Sequence, residues 1–343
     1  MLVAKNNGQL IMASIADPGL KYACPVCNQE VHLRRGKIKV AHFAHCRGAG
    51  CSYGEGETEE HLLGKLQIHQ WLAQQGIPAQ VEYYLPKITQ RPDIMFQWQG
   101  QQVVIEFQCS PLSVQRISER NQGYRLLEIH PYWYLGSPYR RQLGSEKVAQ
   151  FTQLINGRPG IWYWDTKPGR LRADFNHYHC SLTRRTRVTR RIIADQVQKL
   201  MSTARKQLAV SQLAAQVWQR HRVPLSCCPL VCHDVKPSWP VTRQPIIYWR
   251  IRVVDWLGEQ PLFTAWSASD WGACLAEIGQ VEWLSFPCLV DDGLIRQQVI
   301  TAFTQELCQW GIIALVDQQY VLLKHPHWFN RVSDKILVNK RGW

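Results

Sequence analysis

The sequence predicts an α+β or α/β protein with three parts: a small N-terminal ribbon, a core ordered αβββαβ, and a basic C-terminal region of helical and mixed α+β structure. Three observations support this prediction. Cysteines and histidines cluster near the N-terminus, periodicity switches from helical to strand-like between residues 57 and 124, and basic residues crowd a later segment. The predicted boundaries are 1–53, 54–178 and 179–343.

Length and composition describe a folded protein with room for two or three domains. Of the 343 residues, 45% are hydrophobic and 15 are Trp, which excludes a disordered chain. The net charge of +14 favours a polyanionic partner. No signal peptide and no apolar run of membrane-spanning length is recognisable. We therefore expect a cytoplasmic protein without membrane insertion, whose 12 cysteines are metal ligands or reduced thiols.

The N-terminal part carries metal-binding residue types at short spacings. A CPxC knuckle is followed, after a hairpin-length segment, by two histidines in the sequence HFAH. Two thiols and two imidazoles in this pattern fit a tetrahedral, structural Zn²⁺ site. The predicted ligands are Cys24, Cys27, His42 and His45. Cys46 and Cys51 are close enough in sequence to replace either histidine, and buried cysteines beside packed histidines are the alternative.

A helix is predicted from Glu57, after the glycines at 54 and 56. Leu62 and Leu66 fall on its core-facing stripe, whereas acidic, histidine and lysine side chains recur every four residues along another stripe. The members of this polar stripe are Glu57, His61, Lys65 and His69. By itself, such a stripe indicates a solvated helix face.

A bent sheet carrying two acidic residues follows this helix. The predicted strands are 81–85, 94–98, 103–108 and 129–135. The Gln99-Gly100 turn predicts a hairpin between the second and third strands. Asp93 opens that hairpin, while Glu106 and Gln108 share one strand face, so the Asp93 and Glu106 carboxylates should come together. Two converging carboxylates repel unless a hard cation such as Mg²⁺ or Mn²⁺ lies between them.

A second helix should begin after Ser113, which is a suitable N-cap residue. Arg116, Arg120 and Tyr124 then align four residues apart on one side of that helix. Side chains at this spacing could bind phosphate groups of a nucleic acid. The alternative is an exposed basic stripe that pairs with Glu119.

The basic charge is concentrated between residues 184 and 222. Ten Lys or Arg residues stand there against one acid, so nine units of the net charge come from this amphipathic, proline-free segment. It is the predicted polyanion-binding surface, although a helix of this kind could also contact acidic lipid head groups. The predicted nucleic-acid-binding residues here are Arg184, Arg185, Arg187, Arg190 and Arg191.

A second cysteine cluster and a mixed α+β segment complete the chain. Metal binding and simple packing are both open for this cluster, which contains Cys227, Cys228, Cys232 and His233. Beyond it, residues 246–254 predict a strand. Residues 299–310 predict a helix that ends at Gly311, and residues 312–323 predict a hairpin.

The motifs together resemble a known family. CPxC, HFAH, E-H-xxx-K, RPD and IE-x-Q-x-S are similar to those of the CoiA competence-protein family of Gram-positive bacteria, most specifically over residues 20–140. The layout of the acidic residues also resembles the PD-(D/E)xK nuclease superfamily. One departure matters, because Gln108 stands where that superfamily usually has Lys.

The resemblance implies a role in natural transformation. The chain would act on incoming single-stranded DNA or branched recombination intermediates, alongside recombination proteins. In a catalytic protein, Asp93 and Glu106 would hold Mg²⁺ or Mn²⁺ and Lys65 would supply the charge that Gln108 lacks. The residues that the resemblance implicates in catalysis are Asp93, Glu106, Gln108, Glu60, Lys65 and His61. Two alternatives remain open, a DNA-binding scaffold that does not cut and an RNA-processing nuclease.

Overall fold

The computed structural model describes residues 1–36, 40–46, 51, 57–141, 143–177, 187–203, 208–236, 238–278 and 282–341. These residues divide into two compact units. The first contains Met1–Phe175 and Phe286–Val290, and the second contains Asn176–Ser285 and Asp291–Trp343. The predicted mixture of helices and strands is confirmed. Within the described ranges, no helix combines the length and the apolar character needed to cross a membrane.

A five-stranded antiparallel sheet begins the first unit. Its strands are β1 (Val3–Asn6), β2 (Gln9–Met12), β3 (Tyr22–Ala23), β4 (Glu30–Arg34) and β5 (His42–His45). They lie in the order β2-β1-β3-β4-β5. The Asn7-Gly8 turn has φ angles of 45° and 81°, which suit a tight two-residue hairpin. Buried Tyr22, Val31 and Phe43 pack against Cys24 and so fix the cysteine knuckle to the sheet.

Helices and strands in the predicted order follow this sheet. They are α1 (Glu59–Gln74), β6 (Ala79–Val81), β7 (Ile94–Trp98), β8 (Gln101–Gln108), α2 (Val114–Leu126) and β9 (His130–Leu135). The side chain of Thr58 caps α1 by accepting the His61 N–H, and Ser113 caps α2 as predicted. Gln99 and Gly100 have the positive φ angles that a tight hairpin requires, so the predicted turn is also confirmed.

The strand predicted at residues 81–85 was placed too late in the sequence. β6 ends at Val81, and Glu82 adopts a left-handed conformation with a φ of 54°. This conformation is rare for a residue with a side chain, and it turns the chain out of the sheet. Leu85 then pairs with Gln90 in an isolated bridge. The alternating pattern continued past Val81, but the buried contacts of Glu82 override it.

The remaining elements of the first unit are α3 (Ser145–Phe151), β10 (Gln153–Ile155), β11 (Arg158–Asp165) and β12 (Arg170–Asp174). Seven strands form one sheet in the order β10-β11-β9-β8-β7-β6, with β12 added on β11. β9 runs parallel to both β8 and β11. The β7–β8 register pairs Ile94 with Ile105, which brings Asp93 to the same end of the hairpin as Glu106.

A short segment from late in the sequence completes the first unit. Phe286 is fully buried there, and the Pro287 carbonyl accepts a 2.8 Å hydrogen bond from the buried Asn121 side chain. Arg125 donates to the Leu289 carbonyl at 2.5 Å. Asn121 and Arg125 of α2 therefore depend on residues 286–290 for carbonyl acceptors, and a buried amide without a partner is costly.

The second unit is mostly helical. Its elements are α4 (Arg187–Thr203), α5 (Leu208–His221), α6 (Ile247–Glu259), β13 (Ala265–Ser267), α7 (Ala268–Glu277), α8 (Leu294–Gln309), β14 (Ile313–Val316), β15 (Gln319–Leu322) and α9 (Val332–Arg341). The strands pair in the order β13-β15-β14. The predicted helix before Gly311 and the predicted hairpin are confirmed. The strand predicted at 246–254 was wrong, because α6 is buried on most sides and a buried helix has the same apolar run as a buried strand.

Gly64 provides a test of the contact between α1 and β8. A Cβ atom at this position would lie 2.1 Å from Cε1 of Phe107, whose ring is buried. We expect Gly64→Ala to lower the free energy of unfolding by about 1–3 kcal/mol through overpacking, measured by urea denaturation. Gly272→Ala is the control, since the nearest atom would be 3.7 Å away and α7 should gain up to about 1 kcal/mol. Equal effects of the two substitutions would contradict the packing argument.

Candidate functional site

A buried lysine organises a cluster of charged side chains in the first unit. Lys65 lies on the inner face of α1 and has no exposed surface. Its Nζ is 2.5 Å from Oε1 of Glu57 and 2.5 Å from Oε1 of Glu82. The same Nζ is 3.7 Å from Oδ1 of Asp93. Burial opposes the charge, but the three carboxylates outweigh it and raise the pKa of Lys65.

His61 connects two of these carboxylates, one helical turn before Lys65. Its Nε2 is 3.2 Å from Oδ2 of Asp93, and its Nδ1 is 3.4 Å from Oε1 of Glu57. Burial alone would lower the pKa of His61, but the charge and hydrogen bond of Asp93, with help from Glu57, raise it to about 9. Burial likewise opposes the ionisation of Asp93, but the charges of His61 and Lys65 lower its pKa to about 2. The structure thus brings the predicted residues His61, Lys65 and Asp93 together.

Glu82 ties this cluster to the N-terminal sheet. Its carboxylate accepts hydrogen bonds from the backbone N–H groups of Leu2, at 2.9–3.0 Å, and Val3, at 3.3 Å. Arg91 lies 3.6 Å from the same carboxylate. Burial opposes the ionised form, but Lys65 and Arg91 lower the pKa of Glu82. A single left-handed residue therefore joins β1, α1 and the loop before β7.

Glu106 faces a different set of partners from those of Asp93. Arg120 and the Tyr124 hydroxyl both donate to its Oε1, and Arg120 also donates to the Arg91 carbonyl at 3.2 Å. Burial raises the pKa of Glu106 and the nearby charge of Asp93 adds to this, although Arg120 opposes it. The sequence predicted that Arg120 and Tyr124 bind phosphate groups. In the structure both instead donate hydrogen bonds to Glu106 within the fold.

The other residues implicated in catalysis or phosphate binding lie apart from the Lys65 cluster. This cluster consists of Lys65, His61, Glu57, Glu82 and Asp93. Glu60 accepts hydrogen bonds from the backbone N–H and hydroxyl of Ser137, at 2.7 and 2.5 Å. Gln108 donates to the carbonyl and hydroxyl of Ser110. Arg116 is exposed and pairs with Glu119 at 3.3 Å, as the alternative interpretation of that stripe expected. The contacts of Glu60 and Gln108 therefore hold the loops that follow β9 and β8, whereas Arg116 pairs within α2.

Three ligand-type side chains of the cluster are close enough to share a cation. One donor atom each from Glu57, His61 and Asp93 lies within 4.8 Å of the others. Two carboxylate oxygens and an imidazole nitrogen suit Mn²⁺ and, with fewer protein ligands, Mg²⁺. Glu57 was expected on a solvated helix face, whereas the structure places it against Lys65. The four-residue spacing of Glu57, His61 and Lys65 was the signal that could have identified it.

A second group of potential metal ligands lies in the N-terminal sheet. The side chains of Cys24, Cys27, His45 and Cys51 place their ligand atoms within 4.8 Å of one another. The Cys27 Sγ lies 3.4 Å from Nε2 of His45. Burial opposes the thiolate, but hydrogen bonds from Gln29 and the neighbouring cysteines lower the pKa of Cys27. Thiolate and imidazole ligands in a set of four fit Zn²⁺.

His42 is not part of this group, although the sequence predicted it as a ligand. Successive side chains of a strand point to opposite faces, so residues three apart in β5 cannot both face the knuckle. His45 faces it, while the Nδ1 of His42 hydrogen-bonds to the Val40 carbonyl at 2.9 Å. Cys51 takes the fourth position, as the sequence had left open. The other cysteine considered, Cys46, lies 3.1 Å from Nε2 of His32.

The basic segment is only partly described. Arg184 and Arg185 lie outside the described residues, and Arg187 and Arg190 are in α4 at positions whose side chains are likewise outside them. Arg191 is exposed on α4. The role predicted for these arginines stays a prediction.

Two family models match this chain. "Competence protein CoiA, N-terminal domain" matches residues 14–54, and "Competence protein CoiA, nuclease-like domain" matches residues 57–210. The chain belongs to the CoiA family. The resemblance carried by the sequence motifs is therefore confirmed, and the Lys65 cluster lies within the region that the nuclease-like model covers.

Two curated relatives match shorter stretches. The chain is 32% identical to competence protein CoiA of Bacillus subtilis (strain 168) over 143 residues, which are 40% of this chain and 38% of that protein. It is 44% identical to Druantia protein DruB of Escherichia coli (strain UMEA 4076-1) over 50 residues, 15% of this chain and 9% of that protein. The matches thus span well under half of either relative. No solved structure matches the chain.

The raised pKa of His61 predicts a pH dependence of stability. A histidine whose pKa rises from 6.5 to about 9 on folding stabilises the fold fully below pH 6.5, and this contribution is lost as the pH rises through 9. In metal-free buffer, the free energy of unfolding should fall by on the order of 2–3 kcal/mol across this window. His61→Gln lacks the titrating group and is the control. If both proteins lose equal stability, His61 is not charged in the fold.

Proposed function

We propose that this chain is a metal-dependent nuclease of natural transformation that acts on incoming single-stranded DNA or branched recombination intermediates. The observation that carries the proposal is the position of Lys65, whose Nζ is 3.7 Å from Asp93 inside a group that can hold a divalent cation. A PD-(D/E)xK site needs a cation, a carboxylate and a positive charge in one place. Lys65 can supply the charge that Gln108 lacks.

The side chains of the cluster have distinct roles in this proposal. Asp93, with Glu57 and His61, would hold Mn²⁺ or Mg²⁺, and the residues fit because their donor atoms converge without a change of backbone. In this position the cation would supply polarisation of the scissile phosphate and a lowered pKa for an attacking water. Lys65 stabilises the negative charge that develops on the phosphate. His61 gives up its proton when it becomes a ligand.

A second candidate function is a nuclease-derived scaffold that binds DNA without cutting it. The specific observation in its favour is that Glu106 is already held by Arg120 and Tyr124. Gln108 also donates to Ser110, so both residues already have partners within the fold in this arrangement. Recombination proteins of the transformation machinery are the expected partners under both proposals, and we place the protein in the cytoplasm.

The N-terminal group is proposed to bind a structural Zn²⁺. Cys24, Cys27, His45 and Cys51 provide four ligands and leave no open position for a substrate. The ion would fix the knuckle to the end of β5 and, through β1, support the backbone groups that hold Glu82. Zinc thus has a positioning role for the nuclease-like part, without taking part in its chemistry.

The nuclease proposal predicts separate effects on cutting and on binding. Asp93→Ala removes the residue that contacts both His61 and Lys65 but leaves exposed basic residues unchanged. Cleavage of labelled single- or double-stranded DNA with Mn²⁺ or Mg²⁺ should fall at least about 100-fold, while DNA affinity stays within about threefold. Glu60→Gln is the control, because Glu60 contacts Ser137 outside the cluster and should retain cleavage.

Gln108→Lys further tests the assignment of Lys65. If Lys65 already supplies the positive charge, a second lysine should change the cleavage rate by less than about threefold. A large increase would show that the wild-type site lacks this charge. Wild-type protein that cuts neither DNA nor RNA with either cation, and Asp93→Ala protein that still supports transformation, would establish the scaffold instead.

The zinc proposal predicts about one Zn²⁺ per chain in the native protein, measured by elemental analysis. The Cys24→Ser/Cys27→Ser double variant should lose this zinc, and Cys51→Ser should weaken its binding, because both remove thiolate ligands. His42→Ala should keep the metal, since His42 contacts the Val40 carbonyl. Zinc loss in the His42 variant but not in the Cys51 variant would contradict the ligand set.

A further inference from the structure

The second unit contains a buried lysine–cysteine contact that the proposed function does not use. Residues Leu225–Cys227 and Leu230–Cys232 form two short 3₁₀ turns. Cys228 lies between these turns and has no exposed surface. Lys335 of α9 is also fully buried, and its Nζ lies 3.3 Å from the Cys228 Sγ. Both atoms are therefore in contact and sealed from bulk water.

The ionic state of the Cys228–Lys335 pair follows from the need to compensate a buried charge. A buried ammonium costs several kcal/mol unless an opposite charge is beside it. The other hydrogen bond of Lys335, 2.9 Å to the Ser226 carbonyl, is to a neutral group. The Cys228 thiolate supplies the counter-charge. Burial opposes the thiolate, but a hydrogen bond from Cys232 and the charge of Lys335 lower the pKa of Cys228.

The same geometry argues against the metal site that the sequence left open here. Among the described residues, the two sets that could share a metal ion do not include Cys228 or its neighbours. The Nε2 of His233 is 4.0 Å from the Cys228 Sγ, and its Nδ1 is 2.9 Å from the Gln196 side chain. Lys335 therefore provides the positive charge that a bound ion would otherwise supply.

We propose that Cys228 and Lys335 are a covalent modification site, at which dioxygen joins them through a nitrogen–oxygen–sulfur bridge. The thiolate and the ammonium together give up four electrons to dioxygen, and the ammonium also gives up two of its three protons. One atom of dioxygen becomes the bridging oxygen, and the other leaves as water with two of the protons. The third proton stays on the lysine nitrogen, so the product is Cys–S–O–NH–Lys plus one water. This inference is independent of the nuclease proposal.

Three features favour this product over the usual products of cysteine oxidation. Sγ and Nζ already touch, so the bridging oxygen needs no backbone rearrangement. The site excludes water, which disfavours the charged sulfinic and sulfonic acids formed at exposed thiols. Dioxygen is small and apolar and can reach a buried position that bulky thiol reagents cannot. The bridge would tie α9 to the 3₁₀ turns and stabilise the second unit.

Mass spectrometry of the full chain tests the proposal. Protein prepared without oxygen, and the same protein exposed to air, would be digested under acidic, non-reducing conditions. After exposure we expect the Cys228 and Lys335 peptides as one species, heavier than their sum by one oxygen and lighter by two hydrogens. A thiol reductant should separate them. The proposal would be overturned if wild-type protein exposed to air lacked the joined species. Cys228 would then be unchanged, joined to Cys232, or present as sulfinic acid.

Two variants make the assignment specific. Lys335→Arg keeps a cation beside Cys228 but has no primary amine, so the joined species should be lost. Cys227→Ser changes the adjacent buried cysteine and should leave the joined species intact. A joined species that persists in the arginine variant would overturn the role of Lys335. If that variant does not fold, fragmentation of the wild-type species still decides the proposal, because it identifies the two linked residues directly.

Discussion

The first unit depends on one interaction, the burial of the Lys65 ammonium among three carboxylates. A lone charge in this position would cost several kcal/mol, and so would each carboxylate left without Lys65. The cluster is therefore stable only when α1, the end of β6 and the start of β7 are all in place. The contacts that form the candidate site are consequently also the contacts that hold these parts of the unit together. Substitutions at Lys65 would confound catalysis with folding, whereas Asp93 and His61, nearer the surface, are better probes of chemistry.

Glu82 extends this dependence to the N-terminal sheet. Its carboxylate receives the backbone N–H groups of Leu2 and Val3 as well as the Lys65 ammonium. The left-handed conformation of Glu82 is the local strain that makes these contacts possible. Glu82 thus connects the N-terminal sheet to the region that the nuclease-like model matches. The cysteine knuckle belongs to the same sheet as β1, so a change at the knuckle can reach the Glu82 carboxylate through β1.

Local patterns predicted much of the fold but less of the site. The Gln99-Gly100 turn and strand alternation were sufficient to bring Asp93 to the same end of the hairpin as Glu106, because hairpin register follows from local sequence, but the two carboxylates have different partners. They could not show that Arg120 and Tyr124 would turn inward to Glu106, since a helical stripe has the same spacing whether it faces solvent or a buried acid. Glu57 shares the four-residue spacing of His61 and Lys65 but was assigned to solvent, whereas Glu82 fell within a strand pattern that continued past Val81 and hid its left-handed turn. The odd spacing of His42 and His45, by contrast, was a readable signal that only one of them faces the knuckle.

The contribution of residues 286–290 has a consequence for how the protein is made. Asn121 and Arg125 of α2 receive carbonyl acceptors from this segment, which the ribosome completes 115 residues after Phe175, the end of the first long stretch of the unit. At translation rates of 5–20 residues per second, the nascent unit waits about 6–23 s with the Asn121 amide lacking its native acceptor. During that interval the unit is exposed to chaperones and proteases. Synonymous codons that slow elongation between residues 175 and 290 would lengthen it without altering the finished molecule.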